Sequence, residues 1–349
     1  MRSHHPQWIR TFAAAITALA VLAATAAPAG ASGSATDPIC KAYALPVRLA
    51  DPGPATQTLW GQLCRPRNST PTTVQFLVHG GYSNHAYWDL PVGNGYYSYV
   101  RAAVAAGYAT FNIDLIGSGN SSHPQSSLVT GDAGAVALHD AITALRDGSL
   151  DGRSFAKVIW VGHALGSFYA WREIPRYGDV DAAILTSALD GHNTDHAQTV
   201  FANSYPAADD PKFAGSGYDT GYLTTRPGTR ASMFYYPATT DPAVVAADEA
   251  AKDVIPLAVT TPAQPPYGIR VPVLVVAGAQ DWLLCQGVTV YDCDDPASVR
   301  AYEASYYPPE ANLQVELIPA TGHSMALATT APLTDSVMLN WAAGVAAPR

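Results

Sequence analysis

The ten residues from Val158 to Ser167, VIWVGHALGS, constrain the fold of this chain more than any other stretch. An apolar run predicts a buried strand, and it leads into a turn between two glycines, Gly162–Gly166, followed by a predicted helix. A strand, a sharp turn and a helix in this order form the elbow of the G-x-S-x-G motif, which raises one side chain above the edge of a sheet. The raised position holds Ala164, whose methyl group cannot attack a carbonyl. The stretch therefore predicts an architecture and leaves the chemistry open.

Strands and helices alternate along most of the chain. This rhythm predicts a mostly parallel sheet with helices on both faces, opened by an antiparallel pair of strands. The predicted strands are 42–49, 58–65, 73–78, 109–113, 157–161, 180–189, 271–277 and 313–318, and the predicted helices are 96–106, 134–146 and 333–343.

The segment 190–268 breaks this rhythm. It is rich in Tyr, Pro, Thr and Asp, and only 242–254 has a helical pattern. Because so long a segment is not expected as a bare loop in a compact domain, we predict an inserted cap. The expected organisation is a core of 32–189, a cap or lid of 190–268, and the second part of the core at 269–349.

Residues 1–31 have the pattern of a secretory signal peptide. Arg2 and Arg10 supply a positive region before the apolar stretch 11–27, and Ala29-Gly30-Ala31 fits a cleavage site. We expect cleavage near Ala31, secretion of the remaining chain, and no stable membrane insertion afterwards. A retained N-terminal anchor is the alternative.

Four cysteines suit an oxidising compartment. Cys40 and Cys64 flank the first two predicted strands, and Cys285 and Cys293 close a short loop. Four cysteines allow three connectivities, and proximity favours these two local pairs. There is no C-x-x-C and no histidine at ligand spacing, so we expect no metal site.

The charge pattern limits the partners. The formal net charge is −9, only 13% of residues are charged, and no basic patch is present. These features argue against nucleic acid and anionic membranes as partners. No phosphate-binding loop or dinucleotide fingerprint is found, so no cofactor is expected, and a small-molecule substrate is the expected partner. The sequence carries no signal for an oligomeric state.

Motifs with polar side chains follow five of the predicted strands. His79–Tyr82 follows the third strand and Asp114–Ser121 the fourth, and the elbow follows the fifth. Asp281 and His323 then follow the last two strands. The chain order of elbow, acid and histidine is the order found in the α/β-hydrolase type of site.

This ordered set resembles the α/β-hydrolase superfamily, and capped members in particular. The local sequences His79–Trp88 and Tyr97–Ala103 resemble those of a group of secreted microbial hydrolases. The resemblance covers the whole chain after residue 31. It implies the α/β-hydrolase fold, with a mostly parallel eight-stranded sheet, and a carboxylic ester hydrolase of the Ser-His-Asp type acting on an ester, lactone or amide.

The resemblance also assigns roles. Ala164 stands at the nucleophile position, His323 is the expected base, and Asp281 is the carboxylate that orients it. Asp190, which ends an earlier strand, is a rival for the carboxylate. The expected oxyanion donors are the N–H groups of Gly81 and Leu165, with Tyr82 next in line, and the expected pocket residues are His85, Trp88 and Tyr222.

Three explanations fit the alanine at the elbow. An original serine has been replaced deliberately, which gives an inactive form. Alternatively, His323 and Asp281 act without a covalent step, as in a lyase, cyclase or isomerase. In the third explanation the chain is a pseudoenzyme that binds a ligand in the old pocket.

Overall fold

The predicted alternation of strands and helices is present in the computed structural model, which describes residues 37–260 and 263–346. The predicted signal peptide lies outside the described residues. The strands are β1 (Ile39–Arg48), β2 (Ala55–Arg65), β3 (Thr73–Val78), β4 (Ala109–Ile113), β5 (Lys157–His163), β6 (Ala182–Thr186), β7 (Ser204–Pro206), β8 (Tyr222–Thr225), β9 (Ile255–Pro256), β10 (Val273–Gly278) and β11 (Gln314–Ile318). The α-helices are α1 (Tyr99–Ala105), α2 (Gly131–Asp147), α3 (Leu165–Tyr177), α4 (Thr194–Ala202), α5 (Arg230–Phe234), α6 (Pro242–Ala251), α7 (Pro296–Glu303) and α8 (Ala331–Ala346).

The main sheet has eight strands in the order β1-β2-β4-β3-β5-β6-β10-β11. β1 and β2 pair antiparallel, and β2 pairs antiparallel with β4. The remaining neighbours in the order β4-β3-β5-β6-β10-β11 all pair parallel. The α/β-hydrolase fold with a mostly parallel eight-stranded sheet is thus confirmed. In such a sheet the carboxyl ends of the parallel strands meet at one edge, where ligands bind.

The apolar run that predicted β5 lies at the centre of the sheet, between β3 and β6. Val158, Ile159, Trp160 and Val161 are each at most 1% exposed. Burying a side chain of this size contributes about 1.5–3 kcal/mol, so this strand is a large source of the stability that supports the elbow at its end.

The segment between β6 and β10 contains residues 190–268, which we predicted as an inserted cap. It holds α4, α5, α6 and a second, three-stranded antiparallel sheet in the order β7-β8-β9. Within the two described ranges, no helix is both long enough and apolar enough to cross a membrane.

Both expected disulfides are formed. Cys40 bonds Cys64 across the paired strands β1 and β2, and Cys285 bonds Cys293 within the segment that follows β10. All four cysteines are therefore paired.

Candidate active site

The turn between β5 and α3 has the backbone of a strained elbow. Ala164 has φ +44° and ψ −110°, a left-handed region that residues with a Cβ rarely adopt. Its N–H donates to the Thr186 carbonyl at 2.9 Å, and its own carbonyl accepts from the Phe168 N–H at 3.0 Å. The flanking glycines are required, because a Cβ at Gly162 would lie 2.6 Å from the Ser167 nitrogen and one at Gly166 would overlap the Val78 carbonyl.

His323 and Asp281 form a buried pair at the same edge of the sheet. His323 Nδ1 lies 2.8 Å from Asp281 Oδ2, and the aspartate is fully buried. The other carboxylate oxygen accepts from the Leu283 N–H at 2.9 Å, which fixes the orientation of Asp281. Because the carboxylate accepts from Nδ1–H, the tautomer that leaves Nε2 as an acceptor is favoured, and Nε2 has no hydrogen-bond partner among the described residues.

The rival carboxylate lies elsewhere. Asp190 accepts from the Tyr267 hydroxyl at 2.7 Å, and its main-chain N–H donates to Glu303 Oε1 at 2.8 Å. It lines the same cavity as His323 but makes no hydrogen bond to it in the described residues. The geometry therefore favours Asp281 over Asp190 as the group that orients the histidine.

The loop after β3 is held by a neutral histidine. His79 Nε2 accepts from the Leu115 N–H at 3.0 Å, and its Nδ1–H donates to the Gly80 carbonyl at 2.7 Å. Complete burial lowers the pKa of His79 to about 4, so the ring is uncharged at neutral pH and keeps this tautomer. The main chain of the loop is thereby fixed before Gly81 and Tyr82.

Three main-chain N–H groups at the edge of the cavity are available as donors. Gly81, Tyr82 and Leu165 all line the cavity, and none of their N–H groups has an acceptor among the residues that the structure describes. Leu165 is the first residue of α3, where N–H groups have no partner within the helix. Free donors at a helix start and in a fixed loop are what an oxyanion site needs.

The loop after β3 is also tied to the inserted segment. The Tyr82 carbonyl accepts from Arg230 Nη1 at 3.0 Å and from the Asp253 N–H at 2.9 Å. Arg230 itself is 2% exposed and forms two hydrogen bonds of 2.8 Å with the Asp248 carboxylate. A buried ion pair of the insertion therefore holds the loop that carries two of the three donors.

These elements surround a cavity of about 530 Å³, which is in the size range of small-molecule sites. Its wall is mostly apolar or aromatic, and its charged members are Arg172, Asp190 and Arg230. Residues of the core and of the insertion both contribute, so the predicted cap segment forms part of the wall. The largest apolar side chains of the wall are Phe168, Tyr169, Trp171, Phe201, Phe234 and Tyr267.

None of the three expected pocket residues lines this cavity. The His85 ring turns to Asp114, with Nδ1 2.8 Å from Oδ1, and lies against Trp60. Trp88 is 1% exposed and packs in the core beside Tyr99. The hydroxyl of Tyr222, on β8, donates to a main-chain carbonyl of the loop before α2.

The His85 side chain pairs with Asp114. Asp114 is fully buried, and burial alone would raise its pKa, but the hydrogen bond and charge of His85 outweigh burial and lower the pKa. The same interaction raises the pKa of His85 against the opposing effect of its own burial. This pair fastens the turn after β3 to the turn after β4, behind the donors.

Sequence reasoning missed the wall that α3 provides. Leu165, Phe168, Tyr169 and Arg172 follow the spacing of one helix face, and all four line the cavity. This period was visible in the sequence directly after the elbow and would have identified the residues. His163, which precedes Ala164, is buried, stacks on Tyr87 with 4.0 Å between ring centroids, and also reaches the cavity wall.

Comparison with known proteins supports the fold. A solved esterase from Thermogutta terrifontis is 17% identical, with 87% of this chain and 99% of that chain covered and a TM-score of 0.58. An alanine-for-serine mutant of a meta-cleavage product hydrolase from Pseudomonas fluorescens is 14% identical, with 86% and 97% covered and a TM-score of 0.57. The carboxylesterase CesB from Bacillus subtilis is 16% identical, with 88% and 92% covered and a TM-score of 0.55.

At these identities the likeness shows the fold alone. A search of curated protein sequences finds no match. The model of the alpha/beta hydrolase family matches residues 75–334, which include the elbow, Asp281 and His323. This match covers most of the chain, and it shows that the protein belongs to the α/β-hydrolase family.

Proposed function

We propose that this protein has the site of a secreted serine-type hydrolase for an ester, lactone or amide bond of a moderately apolar small molecule, present in a form that Ala164 makes inactive in hydrolysis. The observation that carries the proposal is the hydrogen bond between His323 and buried Asp281, in an apolar cavity that is also lined by the strained elbow. The chain as it stands binds the substrate and lacks the atom that attacks it.

With a serine at position 164 the steps follow those of a triad hydrolase. The hydroxyl oxygen attacks the carbonyl carbon while His323 Nε2 takes its proton, and Asp281 stabilises the imidazolium that forms. The N–H groups of Gly81 and Leu165 donate to the developing oxyanion, and the Tyr82 N–H is the next candidate donor. His323 then gives the proton to the leaving group, and a water molecule cleaves the acyl-enzyme by the same route.

The cavity supports the substrate class. An apolar wall favours a moderately apolar acyl or alcohol group, and a volume of about 530 Å³ favours a small molecule over a polymer. The similar folds named above include an esterase and a carboxylesterase. Another of them is an alanine-for-serine mutant of a meta-cleavage product hydrolase complexed with acetates.

Restoring the nucleophile tests the proposal. Ala164→Ser should create hydrolysis of short p-nitrophenyl esters, because His323, Asp281 and the N–H groups of Gly81 and Leu165 would then act as base, orienting carboxylate and oxyanion donors. Removing the nucleophile of a triad costs on the order of 10⁴–10⁶ in kcat, and the gain should approach that range. Ala164→Ser at background on a panel of esters, lactones and amides would refute the hydrolase proposal.

A second candidate function is catalysis without a covalent step. It is favoured by the oriented His323, whose Nε2 has no described partner and is therefore able to act as a base toward a bound substrate or water. In that case the unmodified chain turns over a substrate, and His323→Asn abolishes the activity. Ligand binding by the unmodified chain without turnover of any substrate would support the pseudoenzyme explanation instead.

The choice of carboxylate is tested in the Ala164→Ser background. Asp281→Asn should lower kcat by roughly 10⁴, because the amide favours the wrong histidine tautomer. Asp190→Asn, the matched control on the same cavity, should have a much smaller effect. The reverse ranking would assign the role to Asp190.

Secretion is part of the proposal. Its support is the signal-like pattern of residues 1–31 together with two disulfides, which persist in oxidising compartments. N-terminal sequencing of the protein from culture medium should begin near Ser32. Recovery of the intact N-terminus in the membrane fraction would favour the retained anchor.

A further inference from the structure

Three side chains meet at the end of α3 that lies away from the elbow. His139 comes from α2, Glu173 from α3, and Asp179 from the turn between α3 and β6. One nitrogen or oxygen from each lies within 4.8 Å of the others, and His139 Nδ1 is 2.6 Å from Asp179 Oδ2. A histidine and two carboxylates from three separate places in the chain thus converge on one point.

Glu173 is the unusual member of this group. Its side chain is fully buried, and no hydrogen-bond donor of the described residues reaches either of its carboxylate oxygens or Oδ1 of Asp179. Burying a carboxylate without a partner is costly, and native proteins normally pair such a group or bind it to a metal.

Neighbouring cationic side chains do not neutralise the Glu173 carboxylate. Across the described ranges no lysine or arginine forms an ion pair with Glu173. Arg146 is close, but its guanidinium donates to the main-chain carbonyl of Asp179 and to the carboxylate of Asp181. The carboxylates of Glu173 and Asp179 therefore lie close together beside His139, with no ion pair to a lysine or arginine from the described residues.

We propose that His139, Glu173 and Asp179 bind a divalent transition-metal ion, with Zn²⁺ as the best fit. One imidazole nitrogen and two carboxylate oxygens are ligands that zinc takes, whereas Ca²⁺ prefers oxygen ligands alone. Bonds of about 2.0–2.2 Å place the ligand atoms of a tetrahedral ion roughly 3.4 Å apart. Atoms that already lie within 4.8 Å of one another reach this spacing by small side-chain rotations.

The site has an entry path and a rigid frame. The side chains of His139 and Asp179 are 23% and 17% exposed, so an ion can enter and a water molecule can supply a fourth ligand. The His139 ring stacks on Tyr177 with 3.7 Å between centroids and 5° between planes, which limits its rotation.

The proposed ion has a structural role. Glu173 lies about 14 Å along the axis of α3 from Ala164, at 1.5 Å per residue, so the ion does not reach the reacting atoms. It would join α2, α3 and the turn before β6, and so hold the helix that carries the elbow. The alternative is a proton shared between the two carboxylates, since burial and the nearby charge of Asp179 raise the pKa of Glu173.

Calorimetry with Zn²⁺ distinguishes the two. The full chain, freed of metal with a chelator and dialysed, is titrated with zinc chloride, and its Tm is followed in parallel. We expect one high-affinity Zn²⁺ per chain and a rise in Tm of about 5 °C at 100 times Kd. Glu173→Gln keeps an amide that can donate to Asp179, and it should weaken Kd by more than about 100-fold, as should His139→Gln.

The control is His123→Gln, which removes a histidine hydrogen-bonded to Tyr218 and not part of the site. It should leave Kd and the rise in Tm unchanged. Absence of high-affinity binding overturns the proposal, as does binding that survives both Glu173→Gln and His139→Gln. Tighter binding of Ca²⁺ than of Zn²⁺ overturns the choice of metal. If Zn²⁺ does not change the Tm of the parent chain and Glu173→Gln raises it, the two carboxylates share a proton and bind no metal.

Discussion

The buried ion pair between α5 and α6 should be one of the most sensitive points of the fold. Asp248 accepts two hydrogen bonds of 2.8 Å from Arg230 and a third, also of 2.8 Å, from the Tyr235 hydroxyl. In Asp248→Ala the guanidinium stays buried at 2% exposure without its counter-charge, and the phenol loses its acceptor. Breaking a buried pair from one side costs about 3–5 kcal/mol of the free energy of unfolding.

Urea denaturation of the two matched variants measures this cost. The control is Glu310→Ala, which breaks the pair with Arg270, whose side chains are 70% (Arg270) and 52% (Glu310) exposed. An exposed pair contributes less than about 1 kcal/mol. A double variant, Arg230→Met with Asp248→Leu, should recover most of the loss, because it removes the buried charge together with its partner. The reasoning is refuted if Asp248→Ala costs no more than Glu310→Ala, or if the double variant is as unstable as Asp248→Ala.

Further predictions concern one carboxyl group and the two disulfides. Burial raises the pKa of Glu303 from 4.5 to about 8. Between these two pH values the folded chain keeps the carboxyl proton and the unfolded chain releases it. The free energy of unfolding therefore falls as the pH rises from 4.5 to about 8. Glu303→Gln should therefore raise Tm relative to the parent at pH 9 and not at pH 5; parallel curves of Tm against pH would contradict this. Replacing Cys285 and Cys293 by serine opens a loop with a sequence separation of 8 and should cost about 2.5 kcal/mol, against about 3.4 kcal/mol for Cys40 and Cys64 with a separation of 24. In the Ala164→Ser background, removing Cys285–Cys293 should lower kcat more than removing Cys40–Cys64, because its loop follows Asp281, the carboxylate that orients the base. Equal losses of kcat from both pairs would show that the Cys285–Cys293 disulfide does not hold this carboxylate in place.

The main sheet was predictable because its signal is local. Runs such as Val158–Val161 are apolar, β-branched or aromatic, and end in glycine, so each strand could be placed from a few neighbouring residues. The strands of the insertion were not predicted. Ser204–Pro206 and Ile255–Pro256 are too short to show a period and contain proline, and they are strands only because Tyr222–Thr225 lies between them.

The candidate site divides in the same way. Asp281 and His323 come within hydrogen-bond distance because parallel strands bring their carboxyl ends to one edge whatever the loops do. The pocket wall depends on where a ring points, and no local pattern shows that His85 turns to Asp114. The three proposed metal ligands are equally distant from any motif, since His139 and Glu173 belong to different helices.

The backbone conformation of Ala164 is maintained independently of the side chain that this residue carries. A left-handed residue with a Cβ costs about 1–3 kcal/mol, and here only main-chain hydrogen bonds and two close-packed glycines maintain it. None of these contacts uses the side chain at 164, so we expect a serine introduced there to keep this backbone and to present its hydroxyl to the cavity that His323 also lines. The backbone of the elbow thus does not depend on which side chain it presents.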